Sequence, residues 1–269
     1  MKKLITRSLS GIIYIAIILS SILFGQPYFS IFVVLLSILG ALEFTKITQG
    51  LTKDRVYMIS IDVATTVFVA CAGVCFHSIY IALILYMIRF IATLYSKQEN
   101  PLRSLSYSML TISYIGLPLF LMSKIYMSEH GLLLTLAMFI LIWINDTGAF
   151  VVGCSIGKHR LFERISPKKS WEGFFGGLIF NIIAISIFSY TYTAELSLFS
   201  NLGVAIGFAI FVTIFATWGD LVESLIKRTL HLKDSGNMIP GHGGILDRID
   251  SLLLVAPAIY IYLLIIQII

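Results

Sequence analysis

Nine apolar runs dominate this chain, at 9–24, 28–45, 57–75, 79–95, 105–127, 132–151, 174–193, 202–219 and 252–269. A helix needs about 20 residues to cross a hydrocarbon core of about 30 Å, so each run reads as a membrane span. The runs lack period-two alternation, and a segment in lipid must satisfy its own backbone, which calls for helices rather than barrel strands. Composition agrees. Hydrophobic residues make up 58% and charged residues 12%, against about 25% charged in an ordinary soluble domain. The expected fold class is all-α, a polytopic integral membrane protein of about nine transmembrane helices.

The basic residues orient these spans. With nine crossings, 17 of the 19 Lys and Arg fall on one side, leaving Lys124 opposite and Arg89 inside a span. The positive-inside bias makes that side cytoplasmic, with the N-terminus in and the C-terminus out. The net charge of +5 is then topology signal, and no nucleic-acid partner is expected. No small-residue cleavage site follows the first run, which reads as an uncleaved anchor. Cys71, Cys75 and Cys154 lie in or at spans and read as packing residues, with no disulfide framework and no zinc spacing.

The first half of the chain has short loops and few polar residues. From Trp143 onward the loops on the basic side become long, glycine-rich and charged. Residues 1–140 therefore read as an N-terminal scaffold and 141–269 as the catalytic part. Four stretches carry the chemistry. In "WINDTGAF", Asp146 is costly in lipid, by about 2.5–3.5 kcal/mol, and reads equally as a cation ligand or as an interfacial helix-end residue bonded to Thr147. In "GKHRLFERISPKKSWEGFFGG", Ser166-Pro167 suggests a turn, Ser170 a helix cap, and Lys168 and Lys169 an anion site at the helix start. A basic loop docked on anionic headgroups explains that stretch slightly better.

In "GDLVESLIKR", Asp220, Glu223, Ser224 and Lys227 share one helical face. Two carboxylates and a hydroxyl there suit a hard cation such as Mg²⁺, although a Glu223–Lys227 ion pair alone would explain Glu223. In "KDSGNMIPGHGGILDRID", Gly236, Gly241, Gly243 and Gly244 let backbone N–H groups approach a ligand. Asp247 and Asp250 then fall on one face, and His242, with no partner at zinc spacing, reads as a phosphate donor or a structural bond. A glycine loop, a histidine and two carboxylates make sense as a polyphosphate and metal site.

These last residues closely resemble the phosphatidate cytidylyltransferases (CDP-diacylglycerol synthases). The shared signature falls on Ser224, Lys227, Arg228, Lys233, Asp234, Ser235, Gly236, Pro240, Gly241, His242, Gly243, Gly244, Asp247, Arg248, Ile249 and Asp250. "ND" with "GAF" and "SPKKSWEG" extend the resemblance over 143–257, whereas the first 140 residues match only in hydropathy. The resemblance implies attack by a phosphatidate oxygen on the α-phosphorus of CTP, releasing pyrophosphate and leaving CDP-diacylglycerol. For that reaction we assign a catalytic set of Asp220, Ser224, Lys227, Asp247 and Asp250, with Mg²⁺ held by Asp220 and Asp247 and a cation site completed by Asp146. Phosphates would be held by Lys168, Lys169, Arg228, Lys233 and Arg248, with His242 beside them. A second cation and a homodimer are left open. The expected setting is the cell (inner) membrane with the site loops in the cytoplasm.

Two rivals remain. A CTP-dependent enzyme acting on an isoprenoid phosphate or alcohol keeps the chemistry and changes the lipid. A transporter would use Asp62, Arg89 and Asp146 as a pathway, but polarity here collects at one end of the C-terminal part rather than in paired broken helices. The Asp-Gly-x-x-Ala-Arg pattern of the CDP-alcohol phosphotransferases is absent.

Overall fold

The structure is a computed structural model that describes all residues except 1, 50–55, 193–198, 200, 237, 239–242 and 268–269. Ten α-helices account for most of it. They are α1 (Lys2–Leu23), α2 (Gln26–Gln49), α3 (Val56–Cys71), α4 (Ser78–Leu94), α5 (Pro101–Thr111), α6 (Leu117–Tyr126), α7 (Gly131–Ile156), α8 (Trp171–Thr191), α9 (Leu202–Thr229) and α10 (Leu246–Ile265). A π-helical turn over Ile112–Gly116 joins α5 to α6. Pro118 has no N–H to give the carbonyl one turn back, and widening the helix there accommodates the missing bond.

Every expected span falls on a helix. Six are long and apolar enough to cross a membrane, namely Gln26–Gln49, Pro101–Tyr126, Gly131–Ile156, Trp171–Thr191, Leu202–Thr229 and Leu246–Ile265. Leu9–Leu23, Val56–Cys71 and Ser78–Leu94 are apolar but shorter. The largest boundary differences lie where the sequence turns polar. The eighth expected span lies on α9, which runs ten residues past Gly219 to Thr229, and the last lies on α10, which begins at Leu246 rather than Leu252. Charge ends hydrophobicity, not helical hydrogen bonding, so both charged stretches continue their helices.

One departure from the all-helical expectation is a short antiparallel hairpin, β1 (Arg160–Phe162) with β2 (Ser166–Ser170), pairing Arg160 with Ser170 and Phe162 with Ser166. Ser166-Pro167, expected as a turn, opens β2 instead. In a two-stranded ribbon every strand is an edge, so proline's missing donor is tolerated. The chain reverses just before it, where Ile165 N–H donates to Phe162 O at 3.3 Å.

The chain divides into two compact units, Met1–Met127 with Leu230–Ile249 and Ser128–Thr229 with Asp250–Ile269. In the first, Phe29 of α2 stacks on Tyr126 of α6 with ring centroids 3.8 Å apart, and the Tyr126 hydroxyl donates to Ile22 O at 2.9 Å. Its most polar interior feature joins four helices. Arg89 of α4 pairs with Asp62 of α3 at 2.8 Å, and both are essentially unexposed. Arg89 also donates to Thr93 and to Ser104 of α5, while Gln49 of α2 and Ser108 of α5 donate to Asp62. An intramembrane aspartate and arginine thus cancel one another, with remaining donors and acceptors partnered. The transporter reading loses two of its three residues to this pair.

In the second unit, α7 and α8 meet along small residues. A Cβ added at Gly176 would lie 2.5 Å from Val152 Cβ, and one at Gly177 2.5 Å from Asn145 Oδ1. Helices without a hydrophobic drive to associate pack best where their backbones can approach. Asn181 of α8 donates to Thr213 of α9 at 2.9 Å, and Ser251 of α10 to Ala216 O of α9 at 3.1 Å. The backbones of α9 and α10 approach closely at Gly219, where a Cβ would lie 2.7 Å from Asp250 O and 2.9 Å from Ser251 Cα.

Candidate active site

The Gly219 contact sets the chemistry of the second unit. It brings α10 against the charged end of α9, where Asp220, Glu223 and Asp250 each offer a carboxylate oxygen within 4.8 Å of the others. Asp220 and Glu223 meet because they lie three apart on one helix face, and Asp250 arrives from α10. The Asp146 charge of α7 is also felt at Asp250. Asp146 lies within α7 rather than at its end, and Thr147 donates to Trp143 O at 2.8 Å.

Two lysines partly balance these charges. Lys169, from the end of β2, lies 2.8 Å from Asp220 Oδ2 and donates to Thr217 O at 3.1 Å. Lys227 lies 2.6 Å from Glu223 Oε2, one turn along α9. The ion pair weighed in the sequence is therefore present, but inside a larger acidic group. Ser224 donates to Asp220 Oδ1 at 3.2 Å. With Lys169 and Lys227 beside them, Asp220, Glu223 and Asp250 form an all-oxygen donor set whose spacing fits a hard divalent cation such as Mg²⁺. Glu223 belongs to this set although the sequence reading gave the metal to Asp220, Asp247 and Asp146. The signal for Glu223 was present in its spacing from Asp220, but Lys227 offered a sufficient local partner.

The hairpin delivers Lys169 because its base is fastened to α8. Ser170 caps α8 by accepting from Gly173 N–H at 3.1 Å, as its sequence suggests. Trp171 N–H donates to His159 O at 2.9 Å. Glu172, in the first turn of α8, accepts from Lys158 N–H at 3.1 Å and His159 N–H at 3.2 Å, and pairs with His159 Nδ1 at 2.6 Å. The Trp171 and Gly173 N–H groups, at the helix start that the sequence reading offered to an anion, are thus taken by His159 O and Ser170. Lys168 is exposed on the same strand.

In the first unit, the glycine stretch is built around carboxylates of the chain itself. Asp247, in the first turn of α10, accepts at Oδ2 from Ser235 N–H at 3.1 Å, Ser235 Oγ at 2.9 Å and Gly244 N–H at 2.9 Å. Gly243 adopts φ +82°, a conformation that favours glycine. Glu43 of α2 accepts from Ile245 N–H at 2.9 Å and Leu246 N–H at 3.0 Å. The N–H groups at 244, 245 and 246, expected to approach a phosphate, are thus turned onto Asp247 and Glu43. Glu43 was missed in the sequence, where its only signal is a lone acid within an apolar run. Lys233 and Arg248 are exposed in this unit and Arg228 is exposed in the other. His242, Gly241 and Pro240 lie outside the described residues.

Comparison with known proteins places these residues in company. A family model described as "Cytidylyltransferase family" matches residues 5–266. Proteins named phosphatidate cytidylyltransferase from Staphylococcus aureus (strain COL) and Staphylococcus haemolyticus (strain JCSC1435) are 36% and 38% identical to the chain over 172 residues. Each match covers 64% of this chain and 64% of the relative.

Proposed function

The chain belongs to the cytidylyltransferase family, and from that premise we propose that it transfers CMP from CTP to phosphatidate, giving CDP-diacylglycerol and pyrophosphate. One observation carries the reading: Asp220, Glu223 and Asp250 meet within 4.8 Å, inside the 143–257 stretch that bears the resemblance, with Lys169 and Lys227 beside them. A phosphate oxygen of phosphatidate forms the new bond to the α-phosphorus of CTP. The bond from that phosphorus to the bridging oxygen breaks, and pyrophosphate leaves with the electron pair.

The nucleophile is already anionic, so the protein's part is positioning and charge neutralisation rather than proton removal. Asp220, Glu223 and Asp250 would hold Mg²⁺, with Asp146 adding negative charge and leaving scope for a second cation. When bound, the ion neutralises charge on the transferring phosphates. Lys169 and Lys227 hold the carboxylates until the triphosphate arrives and then share its charge. Lys168, Arg228, Lys233, His242 and Arg248 are assigned to substrate phosphates, and Ser224 steadies Asp220. Asp247 stays in the catalytic set as the carboxylate at the start of α10.

The setting proposed is the cell (inner) membrane, crossed nine times, with the N-terminus and the 157–172 and 233–247 loops in the cytoplasm. Polar loops between apolar helices suit an enzyme that brings a water-soluble triphosphate to a lipid phosphate at the headgroup plane. Purified protein given radiolabelled CTP, phosphatidate and Mg²⁺ should make label lipid-soluble and release pyrophosphate in equal amount, and excess EDTA should abolish both. Equal transfer from ATP, or to an isoprenoid phosphate, would sink the reading.

A further inference from the structure

Glu43 is the only acidic residue of α2, and it is 3% exposed. A carboxylate in that position is costly unless donors surround it. Its donors described here all come from the segment around the start of α10: Ser235 Oγ and Leu246 N–H on Oε1, and Ile245 N–H on Oε2. Two of these N–H groups belong to a helix N-terminus, which lacks partners within its own helix and favours negative charge.

The surrounding glycines fit the same carboxylate. A Cβ at Gly244 would lie 2.0 Å from Oε1, and one at Gly236 2.8 Å from Oε2. The seat then extends to Asp247. The Ser235 hydroxyl contacts both Glu43 Oε1 and Asp247 Oδ2, and its single hydrogen serves two carboxylates. Gly244 N–H and Ser235 N–H complete the shell of Asp247 Oδ2. A displacement of Glu43 would therefore be felt at Asp247 through one intervening side chain.

We propose that Glu43 is a positioning residue for the transfer reaction: without touching a reacting atom, it seats Ser235 and the start of α10 and so holds the Asp247 carboxylate in place. The inference rests on the cytidylyltransferase reading and adds to it a residue outside the stretch that resembles the family signature. A neutral Glu43→Gln side chain keeps the volume but offers one acceptor oxygen where two carboxylate oxygens receive donors, so its amide nitrogen must confront a backbone N–H or the Ser235 hydroxyl.

Glu43→Gln, Glu43→Asp and the milder Ser235→Ala should be compared with wild type as full-length purified protein. For Glu43→Gln we expect kcat to fall about tenfold or more with KM for CTP changed less than threefold, because an interaction that shapes the transition state is lost rather than nucleotide binding. Hydrogen exchange of the peptide over 243–249 should rise about tenfold or more while that over α7 stays unchanged. Ser235→Ala should reproduce part of both effects, and Glu43→Gln with Ser235→Ala together should lose less than the product of the two. Unchanged exchange at 243–249, or faster exchange with wild-type kcat, overturns the proposal. If wild type itself transfers nothing from CTP to phosphatidate, the reaction reading fails, while the exchange measurement still decides whether Glu43 seats this segment.

Discussion

Lys169 and Asp220 are 2.8 Å apart with their side chains 25% and 37% exposed, so water screens the pair and its worth to stability is small. Its worth to function is larger. Held at Asp220, the ammonium occupies part of the field that a divalent cation would otherwise enjoy, yet it is also a cation on hand for an arriving phosphate. Lys169→Met should therefore separate two effects of opposite sign. Half-saturating Mg²⁺ should fall several-fold, because one competing positive charge has gone, while kcat falls about tenfold or more from lost phosphate neutralisation. Titration of activity with Mg²⁺ at saturating CTP measures both. A rise in half-saturating Mg²⁺ would mean that Lys169 does not compete at this site. Much of this chemistry was legible residue by residue. Asp220, Glu223, Ser224 and Lys227 advertise themselves by helical spacing alone. Glu43 did not, because its partners lie 192 to 203 positions away and a lone glutamate in a span carries no local pattern.

At the scale of helices, the acidic group depends on how closely α9 and α10 can lie. Gly219 faces backbone of α10, and backbone cannot swing aside as a flexible side chain can. An added methyl at 2.7 Å from Asp250 O and 2.9 Å from Ser251 Cα must push the helices apart. Gly219→Ala should lower stability by about 1–3 kcal/mol, read as an earlier melting transition, and should weaken Mg²⁺-dependent turnover through the displaced Asp250. Gly153→Ala is the control, since its nearest added contact is an ordinary 3.4 Å from Ser170 Oγ. If both variants behave alike, the Gly219 approach is not what sets the acidic group. The elements themselves were readable because long apolar runs leave few alternatives in lipid. The hairpin was not, since a proline-containing stretch of mixed polarity gives no periodic signal and owes its form to Glu172 and Trp171 at the head of α8.

Taken whole, the chain distributes its signature over both compact units: Ser224, Lys227 and Asp250 belong to one and Lys233, Ser235, Gly244 and Asp247 to the other. A division drawn by composition at residue 140 follows the density of polar residues, whereas packing gathers 230–249 with the N-terminal helices. Nothing periodic announces such a return. Orientation can be tested independently of catalysis. In a variant lacking Cys71, Cys75 and Cys154, Glu129→Cys should react with an impermeant maleimide in intact cells and Glu163→Cys only in inverted vesicles; both positions are exposed. The opposite pattern would reverse the proposed topology, and labelling of both from one side would break the count of crossings. The Asp62–Arg89 pair shows the same dependence on packing. Each residue was visible as a costly intruder in its span, but only the approach of α3 to α4 makes them partners.

The carboxylate of Glu43 also imposes an order on biosynthesis. Its helix leaves the ribosome well before the residues that satisfy it, since Ser235, Ile245 and Leu246 follow it by 192 to 203 positions. At about 5–20 residues per second, an interval of about 200 residues lasts roughly 10–40 s. Throughout that interval α2 carries an acidic group without its final ligands, which favours a position near the water interface or a provisional partner. The N-terminal helices therefore cannot reach their mature packing one by one as they are inserted. Completion waits for Ser235 and the start of α10, and a nascent chain stalled before Ser235 would expose an unfinished surface to membrane quality control.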